Sequence, residues 1–458
     1  MFFRQVLHED LGCASYLVGD GGEAAVIDPK WEIEEYLALA EEHELRIAHV
    51  LETHNHADHL SGHGRLAAAT GATIHVSGEA EADYEHEPLA DGDGLELGVA
   101  RISALATPGH RPEHLAFVVT DASRGEEPWL VLTGDSLFVG DLGRPDLAVD
   151  PEDGARGLFR STRRLLELDE LTELWPGHIG GSLCGGAGMS KKPASTIGFE
   201  HRHNELLGID EDELVQRLLG ELAPQPPNFE RIVELNRGEL LTETVGLEPL
   251  TPQRALELVG DGTSLLDGRD PREFDAAHVP GSLNVTMTHT GVGTRAAWVV
   301  DPERPVVLIA ASDDDAQRLG RLVEAVGLRR LLGYVAGGIG AWRAANLGTQ
   351  ATPALDVQGL ADRLWRRDAV LLDVREDDEW EKAHLAGSLH VPYHELRDGI
   401  PDEVREIGKP LAVACSVGNR SSLAASLLRR AGIDDVVHVA DGGVADLAEL
   451  GLELDRPS

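Results

Sequence analysis

The sequence predicts a chain of several α/β domains, and three observations lead to that prediction. The chain has 458 residues, which at roughly 100 to 200 residues per domain corresponds to about three domains. Residues 1 to about 245 mix alternating strand patterns with helical stretches, as expected for a domain built of both elements. The remainder consists of two similar segments, each reading as strand, loop, strand, helix and strand, which predicts two small domains with parallel sheets.

The composition excludes several classes of protein. The net charge of -40 would repel nucleic acid, and no run of about 18 apolar residues could cross a membrane. The segment MFFRQVLHEDLG has no basic start, apolar stretch and cleavage site of a signal peptide, so we expect a cytoplasmic protein. Cys13, Cys184 and Cys415 are the only cysteines, too few for a disulfide framework, and each is a candidate reactive thiol.

The first region carries a set of metal-ligand residues. The strand IAHVLET leads directly into THNHADH, and further donors follow other apolar runs in ATPGH, LTGD and WPGH. Loops at the ends of neighbouring strands can bring such side chains together at one edge of a sheet. The sequence therefore predicts a metal site formed from His54, His56, Asp58, His59, His110, Asp135 and His178.

These motifs resemble the metallo-β-lactamase superfamily over roughly residues 1 to 225, in the branch of glyoxalase II and the persulfide dioxygenases. The resemblance implies an αββα sandwich. In glyoxalase II all these positions hold two metals, with the residue at Asp135 as the bridge. In the dioxygenases the positions of His54, His110 and Asp135 hold one ferrous iron, and His56, Asp58, His59 and His178 stay outside the coordination sphere.

The ligand set alone does not choose between the two activities, because every second-site residue is intact. The segments ETHNHADHLSG, TPGHRPEH, TGDSLFVGDLGRPDL and STIGFE resemble the dioxygenases more closely. That resemblance implies one Fe(2+) per chain, with a small-molecule persulfide and O2 as substrates, since two imidazoles and a carboxylate leave coordination positions open. The alternative is zinc, which would activate water for thioester hydrolysis.

Other residues of this region have two interpretations each. Arg144 matches an arginine that the dioxygenases use near the substrate, or is a structural arginine at the surface. Cys184 lies in the glycine-rich segment PGHIGGSLCGGAG, where it either relays sulfur or belongs to a simple turn. Cys13 is expected to pack in the core, and Asp28 to support the site from a strand end.

The second region is an internal duplication. LLDGRDPREFDAAHVPGSLNV, from Leu265, matches LLDVREDDEWEKAHLAGSLHV, from Leu371, and Gly337-Gly338 matches Gly442-Gly443. We therefore expect three domains, comprising residues 1–248, 249–350 and 351–458.

The last domain carries a nucleophile in the loop LAVACSVGNRSS. Cys415 follows an apolar strand and precedes a helix, where backbone N–H groups and the helix N-terminus stabilise a thiolate. The domain resembles the rhodanese superfamily, in which the short loop from Cys415 to Arg420 cradles the sulfur of a persulfide or thiosulfate, whereas related phosphatases have a loop one residue longer. In the first copy Cys415 aligns with Ala310 and the loop continues to Asp313, Asp314 and Asp315, so this copy resembles an inactive rhodanese.

The combined sequence prediction is a persulfide dioxygenase fused to an inactive and a catalytic rhodanese-like domain, with a role in sulfide detoxification. Cys415 and Arg420 would transfer sulfane sulfur with thiosulfate or sulfite. The alternatives are a zinc thioester hydrolase carrying sulfurtransferase modules and a persulfide sensor without catalysis. Self-association into a homo-oligomer is left open by the sequence.

The acidic composition predicts a dependence on salt. Either the protein is merely acidic, or it is adapted to concentrated salt, where screening relieves the repulsion between its 80 acidic residues. We expect the second, and therefore expect folding and activity to require molar salt. Circular dichroism and activity across a salt series measure this, and full activity at about 0.1 M, where the Debye length is near 10 Å, would contradict it.

Overall fold

The computed structural model describes residues 1–147, 149–186, 188–220 and 222–456. It divides the chain into two units. One comprises Met1–Thr244 with Ala325–Gly327, and the other comprises Val245–Glu324 with Leu328–Ser458.

The strands of the first unit alternate with six helices. The strands are β1 (Phe2–His8), β2 (Cys13–Asp20), β3 (Glu23–Ile27), β4 (Arg46–Leu51), β5 (Thr73–Ser77), β6 (Glu87–Leu89), β7 (Gly94–Leu97), β8 (Ala100–Ala106), β9 (Leu115–Asp121), β10 (Leu130–Gly134), β11 (Leu137–Phe138), β12 (Asp141–Leu142), β13 (Glu173–Pro176) and β14 (Ser195–Thr196). The helices are α1 (Glu34–Glu42), α2 (His63–Thr70), α3 (Pro151–Leu165), α4 (Ile197–His203), α5 (Glu211–Gly220) and α6 (Phe229–Arg237).

Two six-stranded sheets form the centre of this unit. Their strand orders are β1-β2-β3-β4-β5-β6 and β14-β13-β10-β9-β8-β7. Tyr16 and Ile27 of one sheet share a buried apolar cluster with Phe117 and Leu132 of the other, so the inner faces pack on each other. The outer faces are covered by helices, for instance through Tyr36 of α1. This is the αββα sandwich that the sequence resemblance implies.

The donor residues predicted from sequence follow the ends of four strands. His54 comes after β4, His110 after β8, Asp135 after β10 and His178 after β13. Strands β10 and β13 are parallel neighbours, so their carboxyl ends lie at one edge of the sheet, where loops commonly carry functional side chains.

The second unit contains two copies of one arrangement. The first copy contains β15 (Pro249–Leu250), α7 (Pro252–Gly260), β16 (Ser264–Asp267), α8 (Pro271–Ala276), β17 (Leu283–Asn284), α9 (Val292–Val299), β18 (Val306–Ile309), α10 (Asp313–Glu324), β19 (Leu331–Val335) and α11 (Gly338–Ala344). The second contains β20 (Ala354–Asp356), α12 (Val357–Arg366), β21 (Val370–Asp373), α13 (Asp377–Lys382), β22 (His384–Leu385), β23 (Leu389–His390), α14 (Asp402–Arg405), β24 (Leu411–Ala414), α15 (Asn419–Arg430), β25 (Val436–Asp441) and β26 (Leu454–Asp455).

The two copies have equivalent sheets. The strand orders are β15-β19-β18-β16-β17 and β20-β25-β24-β21-β23, and the paired strands are parallel throughout both sheets. The sequence prediction of two small domains with parallel sheets is therefore confirmed. The antiparallel pair β22–β26 of the second copy corresponds in the first copy to a single antiparallel bridge between His278 and Gln350.

Repeated sequence features explain why the copies fold alike. Asp267 accepts hydrogen bonds from Nε and Nη2 of Arg269, and Asp373 binds Arg375 in the same way. Each pair is buried, which is favourable only when both charges are compensated. Trp342 fills the core of the first copy. The second copy lacks this tryptophan, and Leu447 is buried in its core instead.

No helix among the described residues is long and apolar enough to cross a membrane.

Candidate metal centre and sulfur-transfer loop

Three donor atoms converge in the first unit without protein partners. Nε2 of His54 lies 3.9 Å from Oδ2 of Asp135, and Nε2 of His110 lies 3.5 Å from the same oxygen. All three side chains are buried, and none of these three atoms has a hydrogen-bond partner among the described residues. Buried polar atoms are almost always paired, so this arrangement fits a bound cation that two imidazoles and one carboxylate would hold.

The ring of His54 is oriented by a chain of hydrogen bonds. The hydroxyl of Thr53 donates to Oδ2 of Asp28 over 2.9 Å, so its oxygen is left to accept from Nδ1 of His54, also at 2.9 Å. With its proton on Nδ1, the ring presents the lone pair of Nε2. Asp28 also accepts from the Thr53 amide, so the structure gives Asp28 the supporting role expected from sequence.

His110 is oriented in an equivalent manner. Its Nδ1 donates to the backbone carbonyl of Arg144 over 2.9 Å, which again leaves Nε2 unprotonated. Nearby, burial and the charge of His110 lower the pKa of His114 to about 3, so the ring of His114 is neutral. Its Nε2 accepts from the amide of Asp135 over 3.0 Å, which fixes the backbone where the carboxylate begins.

The two carboxylate oxygens of Asp135 have different surroundings. Oδ1 accepts from Nδ1 of His178 over 2.8 Å, while Oδ2 faces His54 and His110. Burial would raise the pKa of Asp135, but His178 and His110 outweigh this effect and lower the pKa to about 2. The carboxylate is therefore ionised, as a metal ligand must be.

His56 points away from the three converging donors. Its Nε2 lies 3.1 Å from Glu52 Oε2 and 3.3 Å from Asp28 Oδ1. Burial and the charge of His59 would lower the pKa of His56, but the two carboxylates raise it to about 10. A protonated imidazole between two carboxylates has no lone pair for a metal.

The remaining predicted donors form a second cluster, which contains a thiol. Nε2 of His178 lies 2.9 Å from Oδ2 of Asp58, and Nδ1 of His59 lies 3.0 Å from Oδ1. The thiol of Cys13 donates to Asp58 over 3.2 Å. Cys13 is buried, as expected from sequence, but it contacts these polar side chains and is not surrounded by apolar core residues alone. Most donor atoms of this cluster thus have protein partners, and Nε2 of His59 is the exception.

Arg144 and Cys184, for which the sequence left two interpretations open, have contacts of the kind that stabilise the fold. Arg144 is buried and not a surface arginine; its guanidinium donates to both oxygens of Asp146 and to the carbonyl of Ala223. Cys184 lies near Asp135 and His178, and burial raises the pKa of its thiol, which disfavours a reactive thiolate. A substrate-binding role for either residue stays a prediction.

A cavity lies beside the donor loops. It has a volume of about 660 Å³, within the range of small-molecule sites. Residues adjacent in sequence to the donors line it, among them Asn55, Ala57 and Arg111, and Phe229 and Val233 of α6 supply an apolar side.

The second unit contains the loop predicted to transfer sulfur, here called the sulfur-transfer loop and defined as residues 415–420. Sγ of Cys415 accepts a hydrogen bond from the amide of Gly418 over 3.2 Å and lies 3.4 Å from Oγ of Ser421. Gly418 has a φ of 95°, and a Cβ there would lie 2.6 Å from the carbonyl oxygen of Ala440. Only glycine fits this turn, which leads directly into α15.

Arg420 is held by a residue that the sequence did not assign to the site. Its Nη1 and Nη2 donate to the carboxylate of Glu379, and the hydroxyl of Ser416 donates to the same carboxylate over 2.7 Å. Burial would raise the pKa of Glu379, but these contacts lower it to about 2. The ionised carboxylate of Glu379 therefore binds both Ser416, near the start of the loop, and Arg420, at its end.

The corresponding loop of the first copy has a different construction. Ala310 is buried at the position of Cys415, and Asp313 accepts from the amide of Gly337 over 2.8 Å. Ser312 accepts from the amide of Asp315 and donates to its carboxylate. The loop has no thiol, and it presents carboxylates where the second copy has Gly418, Asn419 and Arg420.

Sequence reasoning missed four contributors: Thr53, His114, Glu379 and, as a polar contact of the second cluster, Cys13. Thr53 and His114 lie within the quoted motifs, where hydroxyl and imidazole groups next to metal ligands are a recognisable signal. Glu379 and Cys13 reach their partners through the fold, so no local pattern identifies them.

The chain is similar to known families in three segments. Residues 8–178 match the Metallo-beta-lactamase superfamily, and residues 251–345 and 356–449 each match the Rhodanese-like domain. A crystal structure of a metallo-beta-lactamase from Staphylococcus aureus is similar with a TM-score of 0.65 and 28% identity, covering 73% of this chain and 98% of that one.

The curated relatives of the first segment include a dioxygenase and hydrolases. The mitochondrial persulfide dioxygenase ETHE1 of Homo sapiens is 30% identical over 242 residues, which cover 52% of this chain and 87% of the relative. A hydroxyacylglutathione hydrolase of Cereibacter sphaeroides is 34% identical over 170 residues, which cover 36% of this chain and 61% of the relative. A probable metallo-hydrolase of Burkholderia pseudomallei is 34% identical over 195 residues, which cover 37% of this chain and 64% of the relative.

The contacts of Glu379 predict that Glu379→Gln slows sulfur transfer by about tenfold, the order expected when a hydrogen bond to a charged partner is lost. Turnover of thiosulfate measures this, and Glu381→Gln, an exposed residue of the same helix, is the matched control. Because the pKa of Glu379 is depressed in the folded state, its contribution to stability is fully present above the ordinary value and is lost as pH falls towards about 2. Equal turnover in the two variants would contradict the assignment.

Proposed function

Because the chain belongs to the metallo-beta-lactamase superfamily and carries two rhodanese-like domains, we propose that it oxidises a low-molecular-weight thiol persulfide and transfers sulfane sulfur at Cys415. We propose three domains, with the boundaries expected from sequence: residues 1–248 for oxidation, 249–350 without a nucleophile and 351–458 for sulfur transfer.

One observation carries the proposed dioxygenase. Three donor atoms, from His54, His110 and Asp135, converge without hydrogen bonds to any other described residue. Nε2 of His56, which also lacks a hydrogen bond, lies instead between the carboxylates of Glu52 and Asp28, and most donor atoms of the second cluster have hydrogen-bond partners. This contrast favours a single metal ion with open coordination positions over a pair of bridged ions. The likeness to a persulfide dioxygenase agrees with iron as that metal.

The proposed reaction converts a persulfide, O2 and water into a thiol and sulfite, with release of two protons. The sulfane sulfur is oxidised, O2 is reduced, and the sulfur–sulfur bond is cleaved. Bound iron would supply the coordination of persulfide sulfur and the activation of O2.

The residues of this chain would hold and position the reacting groups. The hydrogen bonds from Thr53 and to the carbonyl of Arg144 keep the rings of His54 and His110 in one tautomer. We propose the cavity lined by Arg111 and Phe229 as the binding site for the thiol portion of the persulfide, since it adjoins the donor loops and has both polar and apolar sides.

For sulfur transfer, we propose that the Cys415 thiolate attacks the outer sulfur of thiosulfate. A new sulfur–sulfur bond forms, the bond within thiosulfate breaks, and sulfite leaves with the electron pair. An acceptor thiolate then takes the outer sulfur and restores Cys415. The amide of Gly418, which donates to Sγ, and the cationic Arg420 would stabilise the anionic sulfur.

The two activities are complementary, because sulfite is a product of oxidation and can accept or release sulfane sulfur at Cys415. Covalent linkage on one chain would raise the concentration of each product near the other active site.

A zinc-dependent thioester hydrolase is the alternative for the first domain. The likeness to a hydroxyacylglutathione hydrolase favours it, as does the unpartnered Nε2 of His59 beside Asp58 and His178. Metal analysis distinguishes the two proposals.

The convergence of His54, His110 and Asp135 on one point predicts about one iron per chain after anaerobic purification. His54→Ala and Asp135→Ala should lose both the iron and persulfide-dependent O2 uptake. His59→Ala is the informative comparison, because its ring belongs to the second cluster and iron should be retained. Two zinc ions per chain, with thioesterase activity and no O2 uptake, would contradict the dioxygenase and support the hydrolase.

Separate centres for the two reactions predict separable variants. Cys415→Ser should abolish sulfur transfer from thiosulfate because it removes the only thiol of the loop, while iron content and O2 uptake stay within about twofold of the unaltered protein. Asp135→Ala should show the reverse pattern. Transfer that survives in Cys415→Ser would assign it to another thiol, with Cys184 the first to test.

A further inference from the structure

The copy without a nucleophile places a buried carboxylate against the catalytic copy. Asp275 belongs to α8 of the first copy and His438 to β25 of the second, and both side chains are almost completely buried, at 4% and 0% exposure of the whole residue. Oδ2 of Asp275 lies 2.7 Å from Nδ1 of His438. A short contact between a buried carboxylate and a buried imidazole is a strong, charge-assisted hydrogen bond.

The other ring nitrogen of His438, Nε2, contacts the sulfur-transfer loop. Nε2 lies 3.0 Å from the carbonyl oxygen of Gly418 and 3.1 Å from Oγ of Ser421. A carbonyl can only accept, so Nε2 must carry a proton to bind it. With Asp275 on Nδ1 and the loop on Nε2, both nitrogens of the ring have partners, which fix its orientation.

Gly418 and Ser421 are the residues that contact the catalytic sulfur. The amide of Gly418 donates to Sγ of Cys415 over 3.2 Å, and Oγ of Ser421 lies 3.4 Å from that sulfur. His438 thus contacts both residues that contact the sulfur. A continuous series of contacts runs from Asp275 in one copy to Cys415 in the other.

The shared fold of the repeats does not account for this pair. At the repeat position of Asp275 the second copy has Glu381, which is exposed. At the position of His438 the first copy has Gly333. Each copy folds without the residue that the other possesses, so the buried acid and the buried histidine are not required by the common architecture. They occur together only where the copies meet.

We propose that Asp275 is a positioning residue for sulfur transfer, which makes the copy without a nucleophile a part of the active site of its neighbour. Asp275 holds His438 in one orientation, and His438 fixes Gly418 and Ser421, the two residues that contact Sγ of Cys415. The inference rests on the proposed sulfur transfer at Cys415, and it assigns a role to a domain that has no reactive group of its own.

A second contact between the copies makes the proposal testable. Nδ2 of Asn284 donates to the carbonyls of Asp267 and Arg269, so Oδ1 is directed to accept from the hydroxyl of Ser422 in α15, at 2.6 Å. Trp298 also stacks on His394, with ring centroids 4.3 Å apart. These contacts do not involve Asp275, so an isosteric change at that residue leaves the copies docked.

The test uses Asp275→Asn in the full chain, with Glu273→Gln as the matched control. Both convert a carboxylate to an amide on α8, but Glu273 is exposed. Two properties are measured: the turnover of thiosulfate with cyanide as acceptor, and the pH profile of Cys415 alkylation by iodoacetamide, followed on the Cys415 peptide by mass spectrometry. O2 uptake by the same preparations reports that the rest of the chain is intact.

We expect Asp275→Asn to lower kcat by about tenfold with little change in KM, as for loss of a hydrogen bond to a charged group. The pH profile of Cys415 alkylation should move in Asp275→Asn and stay in place in Glu273→Gln, because Gly418 and Ser421, which contact Sγ, lose their support only in the first variant. The other charged groups near the loop, Arg420, Glu379 and Glu376, are unchanged in both variants, so the difference between the variants reports on Asp275.

Identical turnover and alkylation profiles in Asp275→Asn and Glu273→Gln would overturn the proposal. A lower kcat with an unmoved alkylation midpoint would also overturn it, because general loosening of the fold produces that pattern. If Asp275→Asn does not fold, His438→Asn tests the same contact from the other copy, with the same expected shift. Absence of sulfur transfer in the unaltered chain would instead refute the proposed function itself, so the two failures are distinguishable.

Discussion

The carboxylate of Asp135 is the constraint on which the first unit depends. It is completely buried yet ionised, and an uncompensated charge in that environment would be strongly destabilising. His178 compensates one oxygen by direct contact, while the other faces the unprotonated nitrogens of two histidines. The sandwich fold meets this requirement because the loops after β4, β8, β10 and β13 supply the four side chains. The same constraint acts on the buried carboxylates of Asp28 and Glu52, which are paired with His56. This pairing determines that His56 faces those carboxylates.

In the second unit, the equivalent requirement is to hold a buried thiol and a cationic arginine in one short loop. Glu379 fixes Arg420 from one side, and the amide of Gly418 contacts the sulfur from the other. Gly443 allows this arrangement because a Cβ there would lie 2.2 Å from the carbonyl oxygen of Ser416. A Cβ on Gly338 of the first copy would likewise lie too close to the carbonyl oxygen of Ala310, so the second glycine of each pair is explained by the close approach of two backbones.

Much of this architecture could be predicted from the sequence, because it depends on periodicity and on positions at strand ends. The duplication, the parallel sheets and the convergence of His54, His110 and Asp135 are of this kind. The orientation of His56 could not be predicted, since the same motif spacing fits coordination and ion pairing equally well, and Asp28 and Glu52 decide between them through the fold. Glu379 is 41 residues from Arg420, and Cys13 is 45 residues from Asp58. Such contacts leave no local pattern. Of the two interpretations of Arg144, neither predicted its burial from the sequence, because that burial depends on distant segments such as Ala223.

The contact of Asn284 with Ser422 also bears on where an independent folding unit ends. Ser422, Ser426 and His438 of the second copy are buried, and each has a hydrogen-bond partner in the first copy. Without the first copy, these polar groups would lose those partners and meet solvent. The boundary of the repeat in the sequence therefore differs from the boundary of a unit that folds with its buried polar groups satisfied.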